Sequence, residues 1–377
     1  MKPSLRPVWA EVDIAAVRAN VRALMRLVAP VPVLAVVKAD AYGHGAFEVA
    51  NAAISAGASM LGVALVEEGV ALREHGVEAE ILVLSEPVAD AADSVVKYRL
   101  TPAVYTLGGV AALEAAAQQQ LRERVSVQLK IDTGMHRVGA DARVALEVAR
   151  AVDRSHGLRL SAVWTHLAVA DEQDHAYNGR QLARFASAVQ TIRDDGIDPA
   201  MLHAANTAAA IGLQDSRFDL VRCGIGVMGI APAPWLAESI DLQPALSVHA
   251  AVSYTKRVEA GEAISYGLRY RLSHASNIVT VPIGYADGVP RLLGERGGEV
   301  LIRGVRFPIA GTITMDQMLV DVGETPIEPG EPVVLIGSQG EGCVTAQEWA
   351  DRVGTIPYEI VCSIGPRVPR RYVDGGL

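Results

Sequence analysis

"VPVLAVVKADAYGHG" (residues 31–45) begins as an apolar run from Val31 to Val37 and stops on Lys38, ahead of Asp40, Tyr42 and Gly43-His44-Gly45. An unbroken apolar run of this length reads as a strand covered on both faces, the habit of parallel sheets. A charged amine at its end is costly to desolvate unless it is paired, neutral or covalently bonded. Comparable runs recur at 60–65, 80–85, 99–104, 125–131, 159–166, 201–206 and 220–229, and helix-forming segments such as 108–121, 141–154 and 177–195 lie between them. This alternation predicts an α/β fold, an N-terminal (β/α)8 TIM-like barrel whose functional residues sit at the C-terminal ends of the strands. A doubly wound sheet is the alternative that periodicity leaves open.

The pattern changes after "GIAPAPW" (229–235), where prolines interrupt the chain. Runs such as "LSVHAAVSY", "NIVTVPIGY", "VLIRGVRFPIAG" and "PVVLIG" are then separated by glycine and proline, which reads as a mostly β C-terminal domain of short strands. The predicted domains are 1–238 and 239–377, with residues 1–12 joining the second through the strand-like "PVWAEV". A helix is predicted over 13–28. Another covers 345–354, with Thr345 as N-cap and Glu348 completing a capping box.

With 377 residues, half of them hydrophobic, the chain can bury a large core. A net charge of −9 without a basic run argues against nucleic acid as a partner. Cys223, Cys343 and Cys362 are too scattered for a disulfide framework or a metal motif. No segment reads as a signal peptide or membrane span, so a cytoplasmic location is expected. Only five of the 34 basic residues are lysines: Lys2, Lys38, Lys97, Lys130 and Lys256. Where charge alone is needed this chain uses arginine, yet Lys38 and Lys130 both end apolar runs. Lysine offers an amine that can lose its proton and attack a carbonyl.

The barrel reading gathers Lys38, Tyr42, Lys130, Arg137, His166, His203, Asn206, Thr207 and Arg222 on one rim. Each has an ordinary alternative: a hydrogen-bonded core histidine for His166, a structural ion pair for Arg222, a helix cap for "HAANTAA". Collected on one rim, they point to a pocket. "GIGVMG" (224–229) matches G-x-G-x-x-G, but the prolines of "IAPAPW" prevent the helix that a dinucleotide fold requires. Its backbone N–H groups can still cradle a single phosphate. A lysine able to form a Schiff base, an arginine and a one-phosphate cradle suggest pyridoxal 5'-phosphate.

"AVVKADAYGHG", "KIDTGMHRVG", "THLAVAD", "HAANTAA", "VRCGIG", "VPIGYADG", "MDQMLVD" and "PYEIVCSIGPRVPR" together resemble the alanine racemases in order and spacing, over nearly the whole chain. The resemblance implies a pyridoxal-phosphate enzyme that interconverts L- and D-alanine with two bases and supplies D-alanine for peptidoglycan. It implies that Lys38 bonds the cofactor aldehyde and serves one face of the substrate, and that Tyr285, from the other subunit of a homodimer with shared sites, serves the opposite face. Tyr42, Asn206, Thr207, Gly224, Ile225 and Tyr358 would hold the cofactor with Arg222 and His166, and His203 would support them. Arg137 and the Met315 main chain would bind the substrate carboxylate. Lys130, beside a second cation, would carry a carbamate that holds Arg137.

Family members often have serine at position 207, tyrosine at 228, and arginine and cysteine near Thr312 and Thr314. Thr207 keeps the hydroxyl, whereas Thr312 and Thr314 put substrate access in question. A broader serine/alanine racemase and an amino-acid decarboxylase of the same architecture are the alternative enzymes, and a non-catalytic cofactor-binding regulator is the alternative outside enzymes.

Overall fold

The computed structural model describes residues 5–120 and 124–375. Two compact units are present, one formed by Ala16–Ala41 and Ala46–Gln243, the other by the chain up to Ala15, Tyr42–Gly45 and the chain from Pro244 onward.

Strand β1 (Val8–Asp13) leads into helix α1 (Ile14–Val28), which starts where the Asp13 carboxylate accepts the Ala15 N–H at 2.8 Å. Val17, Val21, Leu24 and Val28 recur at helical spacing and are buried. Each of the eight predicted runs overlaps a strand: β2 (Val33–Val36), β3 (Met60–Val63), β4 (Ile81–Val83), β5 (Thr101–Val104), β6 (Val125–Asp132), β7 (Leu158–Trp164), β8 (Leu202–His203) and β9 (Val221–Cys223). All pair in parallel, in the order β9-β2-β3-β4-β5-β6-β7-β8. The Arg222 N–H then donates to Ala205 O at 3.0 Å and the Asp219 N–H to Leu202 O at 3.0 Å, so β9 returns to β8 and the sheet nearly closes. That return excludes the doubly wound alternative. Helices α2 (Ala46–Ser55), α3 (Val66–Glu74), α4 (Ala92–Lys97), α5 (Leu107–Gln120), α6 (Ala142–Asp153), α7 (Tyr177–Asp194) and α8 (Thr207–Gly212) connect the strands.

Six of the eight strands stop earlier than their apolar runs, and two of these stops open loops at the site. The run at 31–38 pairs only through Val36, because Lys38 opens a turn, and the run at 220–229 pairs only through Cys223, because Gly224 opens another. In both cases the backbone leaves the sheet where the polar chemistry begins.

The other unit is mostly β. Its main sheet places β1 between antiparallel Leu246–Ala251 and parallel Arg370–Val373, and continues through Pro332–Gln339, Glu299–Ile302 and Val305–Pro308. Tyr254–Val258, Ser276–Val281 and Met318–Asp321 form a second sheet. Helices α9 (Ala346–Val353) and α10 (Pro357–Ser363) follow. Thr345 caps α9 by accepting the Glu348 N–H at 3.0 Å, while the Glu348 carboxylate is engaged by Arg306 and Arg352. Among the described residues, no helix is long and apolar enough to cross a membrane.

Candidate active site

Lys38 follows β2, and the backbone after it takes an unusual course. Ala39, Asp40, Ala41 and Tyr42 all have φ between 51° and 55°, and Gly43 has φ 81°, giving a left-handed helical turn. Each non-glycine residue in that region costs roughly 1–2 kcal/mol, so the surroundings must impose the turn. The Ala39 N–H donates to the Glu68 carboxylate at 2.6 Å, Ala41 N–H to Val37 O at 2.9 Å, and Ala46 N–H to Asp40 Oδ1 at 2.7 Å. Glu68 also accepts the N–H groups of Ala64 and Leu65, so one carboxylate ties the loops after β2 and β3 together. At the far end of the turn Tyr42 is buried, and its ring meets that of Tyr358 edge-on at 6.1 Å.

The barrel mouth concentrates positive charge. Arg222, 2% exposed in β9, donates to Thr165 O (2.9 Å), Ala204 O (3.0 Å), His203 Nδ1 (2.8 Å) and His166 Nδ1 (3.1 Å). A guanidinium only donates, so both imidazoles present lone pairs to it and are neutral. Burial first, and the Arg222 charge second, hold His166 and His203 well below the usual histidine range. Burial also pushes Arg222 down to about 9, which leaves it cationic at neutral pH. Trp164 carries the Arg222 guanidinium 4.6 Å and the Lys130 amine 4.5 Å from its ring centroid, and stacks on His203. Lys130, 4% exposed, donates to Leu84 O at 3.3 Å. Burial, then the charges of Arg222, Arg137 and Lys38, push its amine down to about 7.

Arg137 sits on the loop after β6. Asp132 Oδ1 accepts the N–H groups of Gly134 and His136, and Gly139, at φ 138°, brings a would-be Cβ within 2.7 Å of Asp132 N. The loop therefore needs that glycine, which explains "DTGMHRVG" locally. Arg137 itself is exposed and makes no hydrogen bond or ion pair among the described residues.

At the start of α8, Asn206 Oδ1 caps the helix by accepting the Ala209 N–H at 3.0 Å, and buried Thr207 accepts the Gly224 N–H at 2.9 Å. The N–H groups of Ile225 and Gly226 donate to nothing among the described residues, although Ile225 is 1% exposed. Gly226 has no room for a side chain, since a Cβ would lie 2.7 Å from Thr207 Cγ2. Unused, buried N–H groups next to a hydroxyl and a short helix start make a cradle suited to an anion.

In the other unit, Tyr285 heads a tight turn and is 41% exposed. Its N–H donates to Thr314 O and that of Ala286 to Met315 O, both at 3.0 Å. Tyr285 and Met315 are thus brought together. Fully buried Asp287 anchors the turn through bidentate hydrogen bonds from Arg6 (2.7 and 2.8 Å), an ion pair with Arg367 (3.2 Å) and the Gly284 N–H (3.1 Å). Tyr285, Val289, Leu292, Val353 and Ile360 are among the residues lining a surface cavity of about 600 Å³. Thr312 is buried and donates to Tyr266 O, and Thr314 donates to Gln317 O.

Four supporting residues escaped sequence reading. Gln128 and Trp164 were findable, because Gln128 lies two positions before Lys130 on one strand and so shares its face, and Trp164 is in register with Lys130 across β6 and β7. Glu68 shows locally only as an acid in the first turn of α3, and its reach to Ala39, 29 residues away, carries no local signal, nor does the pairing of Arg6 with Asp287, 281 residues away.

A sequence model of the N-terminal domain of alanine racemase matches residues 12–232, and one of its C-terminal domain matches residues 245–372. An alanine racemase of Symbiobacterium thermophilum is 46% identical over 369 residues, covering 98% of this chain and 97% of the relative. Alanine racemase 1 of Bacillus subtilis is 38% identical, covering 100% of this chain and 95% of the relative. The crystal structure of alanine racemase from Streptomyces lavendulae superposes with a TM-score of 0.93 at 38% identity, over 99% of this chain and 98% of that one. The alanine racemase of Bartonella henselae, solved with covalently bound pyridoxal phosphate, gives a TM-score of 0.87 at 29% identity, over 97% of this chain and 99% of that one. With two domain matches in order and relatives aligned end to end, the chain belongs to the alanine racemase family.

Proposed function

We propose that the chain racemises alanine with Lys38 and Tyr285 as bases on opposite faces of the substrate, bound to pyridoxal 5'-phosphate. The family reaction interconverts L- and D-alanine and is pyridoxal-phosphate dependent. The observation that carries the reading for this chain is the anion cradle at Ile225–Gly226, on the same barrel rim as Arg222 and Lys38.

Thr207, Ile225, Gly226, Tyr42 and Tyr358 would hold the cofactor phosphate, with the Gly224 N–H setting the Thr207 hydroxyl and Asn206 fixing the helix start beneath it. Arg222 would face the ring nitrogen, supported by His203 and His166. When bound, the cofactor supplies an electron sink that makes the α-proton of an amino acid acidic. A guanidinium at the ring nitrogen cannot donate a proton to it readily, which weakens that sink and favours prompt reprotonation over side reactions. Lys38 would bond the cofactor aldehyde at rest and, once released, hold or return the proton on the D side. Tyr285 Oη would do the same on the L side, and a phenol needs nearby cations to act so at neutral pH. Arg137, exposed and without a counter-ion among the described residues, would take the substrate carboxylate with the Met315 main chain nearby. Lys130 would react as a neutral amine with carbon dioxide, forming a carbamate and releasing a proton. The new anion would offset three neighbouring cations and hold Arg137.

In this reading residues 1–238 carry the cofactor, and 239–377, joined by residues 1–12, supply Tyr285 to the partner of a homodimer. Exposed Tyr266 (72%), Leu268, Leu292 and Met315 support a partner docking on that unit. A cytoplasmic enzyme supplying D-alanine to peptidoglycan follows from the same reading. The purified protein should be yellow, and borohydride should fix the cofactor to Lys38 alone. A colourless protein with no adduct on Lys38 refutes the proposal.

A further inference from the structure

We propose that Gln128 is a positioning residue for Arg222, acting through His203 by fixing the imidazole's orientation and keeping it neutral. The inference rests on the reading of Arg222 as the group that faces the cofactor ring. Gln128 lies in β6 on the same face as Lys130, two residues on, and is 1% exposed. It forms the layer of the barrel interior beneath the cationic rim.

Its amide oxygen lies 3.0 Å from His203 Nε2, and Arg222 Nη1 lies 2.8 Å from His203 Nδ1. Arginine can only donate, so Nδ1 is an acceptor and the single proton of the neutral ring sits on Nε2. That proton points at Gln128 Oε1. Donation therefore runs one way, from Arg222 through His203 to Gln128, and ends on an atom that takes no proton at any ordinary pH. A carboxylate in the same place would favour the imidazolium, whose second proton would then face the guanidinium. An apolar side chain would leave a fully buried Nε2–H without a partner and the ring free to turn. Trp164, stacked on His203 and lying under Arg222, limits tilt of the imidazole but cannot choose between its nitrogens. Arg222 at Nδ1 and Gln128 at Nε2 make that choice together, and among the described residues Gln128 is the partner that receives the Nε2 proton's hydrogen bond.

Histidine-15N spectra of the holoenzyme test this directly, using wild type, Gln128→Met and Gln128→Glu. Wild type should show His203 with a protonated, hydrogen-bonded Nε2 and a bare Nδ1. Gln128→Met should lose the hydrogen-bonded Nε2–H signature and about tenfold in kcat with little change in KM. Gln128→Glu should show His203 protonated on both nitrogens and a shifted visible absorption of the cofactor. A wild-type proton on Nδ1, or variants that keep both the His203 signature and the cofactor absorption of wild type, overturns the proposal. Failure of the Arg222 reading is seen separately. In that case Arg222→Lys leaves the cofactor absorption unchanged, while the wild-type His203 nitrogens remain as stated here.

Discussion

Lys130 offers the sharpest quantitative test of the site. An ordinary lysine is neutral in only about one molecule in 3,000 at pH 7, but an amine pushed down to about 7 is neutral in about half. Only the neutral amine attacks carbon dioxide, so the site gains roughly a thousandfold in reactive species before the product is considered. The product is favoured as well, because Arg222, Arg137 and Lys38 all destabilise the ammonium and all stabilise an anion in its place. With 13C-bicarbonate, the protein should show a carbamate resonance that is absent in Lys130→Arg. Depleting carbon dioxide should remove a charge-assisted hydrogen bond from Arg137, raising KM for alanine about 10- to 100-fold. Lys130→Ala should lose the same factor and regain part of it with a short carboxylic acid in the buffer. Absence of the resonance at saturating bicarbonate, or a KM indifferent to carbon dioxide, refutes the reasoning.

Three further outcomes follow from the geometry. Gly226→Ala would force Thr207 away by placing a Cβ 2.7 Å from its methyl group, and cofactor affinity, measured by titrating the apoenzyme, should fall about tenfold; an unchanged Kd counts against the cradle. In buffer free of carbon dioxide, the unfolded chain keeps the Lys130 proton up to the ordinary lysine range while the folded chain sheds it near 7, so this group's contribution to stability rises with pH between about 7 and 10.5, by on the order of 5 kcal/mol. Denaturant midpoints should show that rise, and Lys130→Met should flatten it. Mixed subunits carrying Lys38→Ala and Tyr285→Phe should recover about a quarter of wild-type activity, since half the dimers are mixed and each then holds one intact site; no recovery in verified heterodimers argues for sites contained within one chain.

Much of the barrel was legible because parallel strands covered on both faces must be apolar throughout, and eight such runs, beginning with Val31–Val37, stand out between alanine-rich helices. The ends of those runs were less legible. Apolar character continues through Val37 and from Ile225 to Met228, yet the sheet stops at Val36 and Cys223, since hydropathy reports burial and not hydrogen-bond partners. The left-handed turn at 39–42 has no signature in Ala, Asp, Ala and Tyr; it is imposed by Glu68 and Asp40 through contacts that local propensity cannot express. Rim residues were readable as a set because strand ends collect them. Of their supports, Gln128 and Trp164 follow from strand face and register, whereas the reach of Glu68 to Ala39 and the Arg6–Asp287 pair became visible only with the chain folded.

The central claim is that two bases work from opposite faces, and hydrogen exchange reads it most directly. A racemase has an equilibrium constant fixed by symmetry, so loss of either base lowers net turnover equally in both directions and cannot assign them. Exchange of the α-hydrogen can. With Tyr285→Phe holoenzyme in ordinary water, α-deuterated D-alanine should still lose its deuterium to solvent through Lys38, while α-deuterated L-alanine keeps it and racemisation stops. Deuterium loss from L-alanine at the wild-type rate, or equal loss from both enantiomers, contradicts the account.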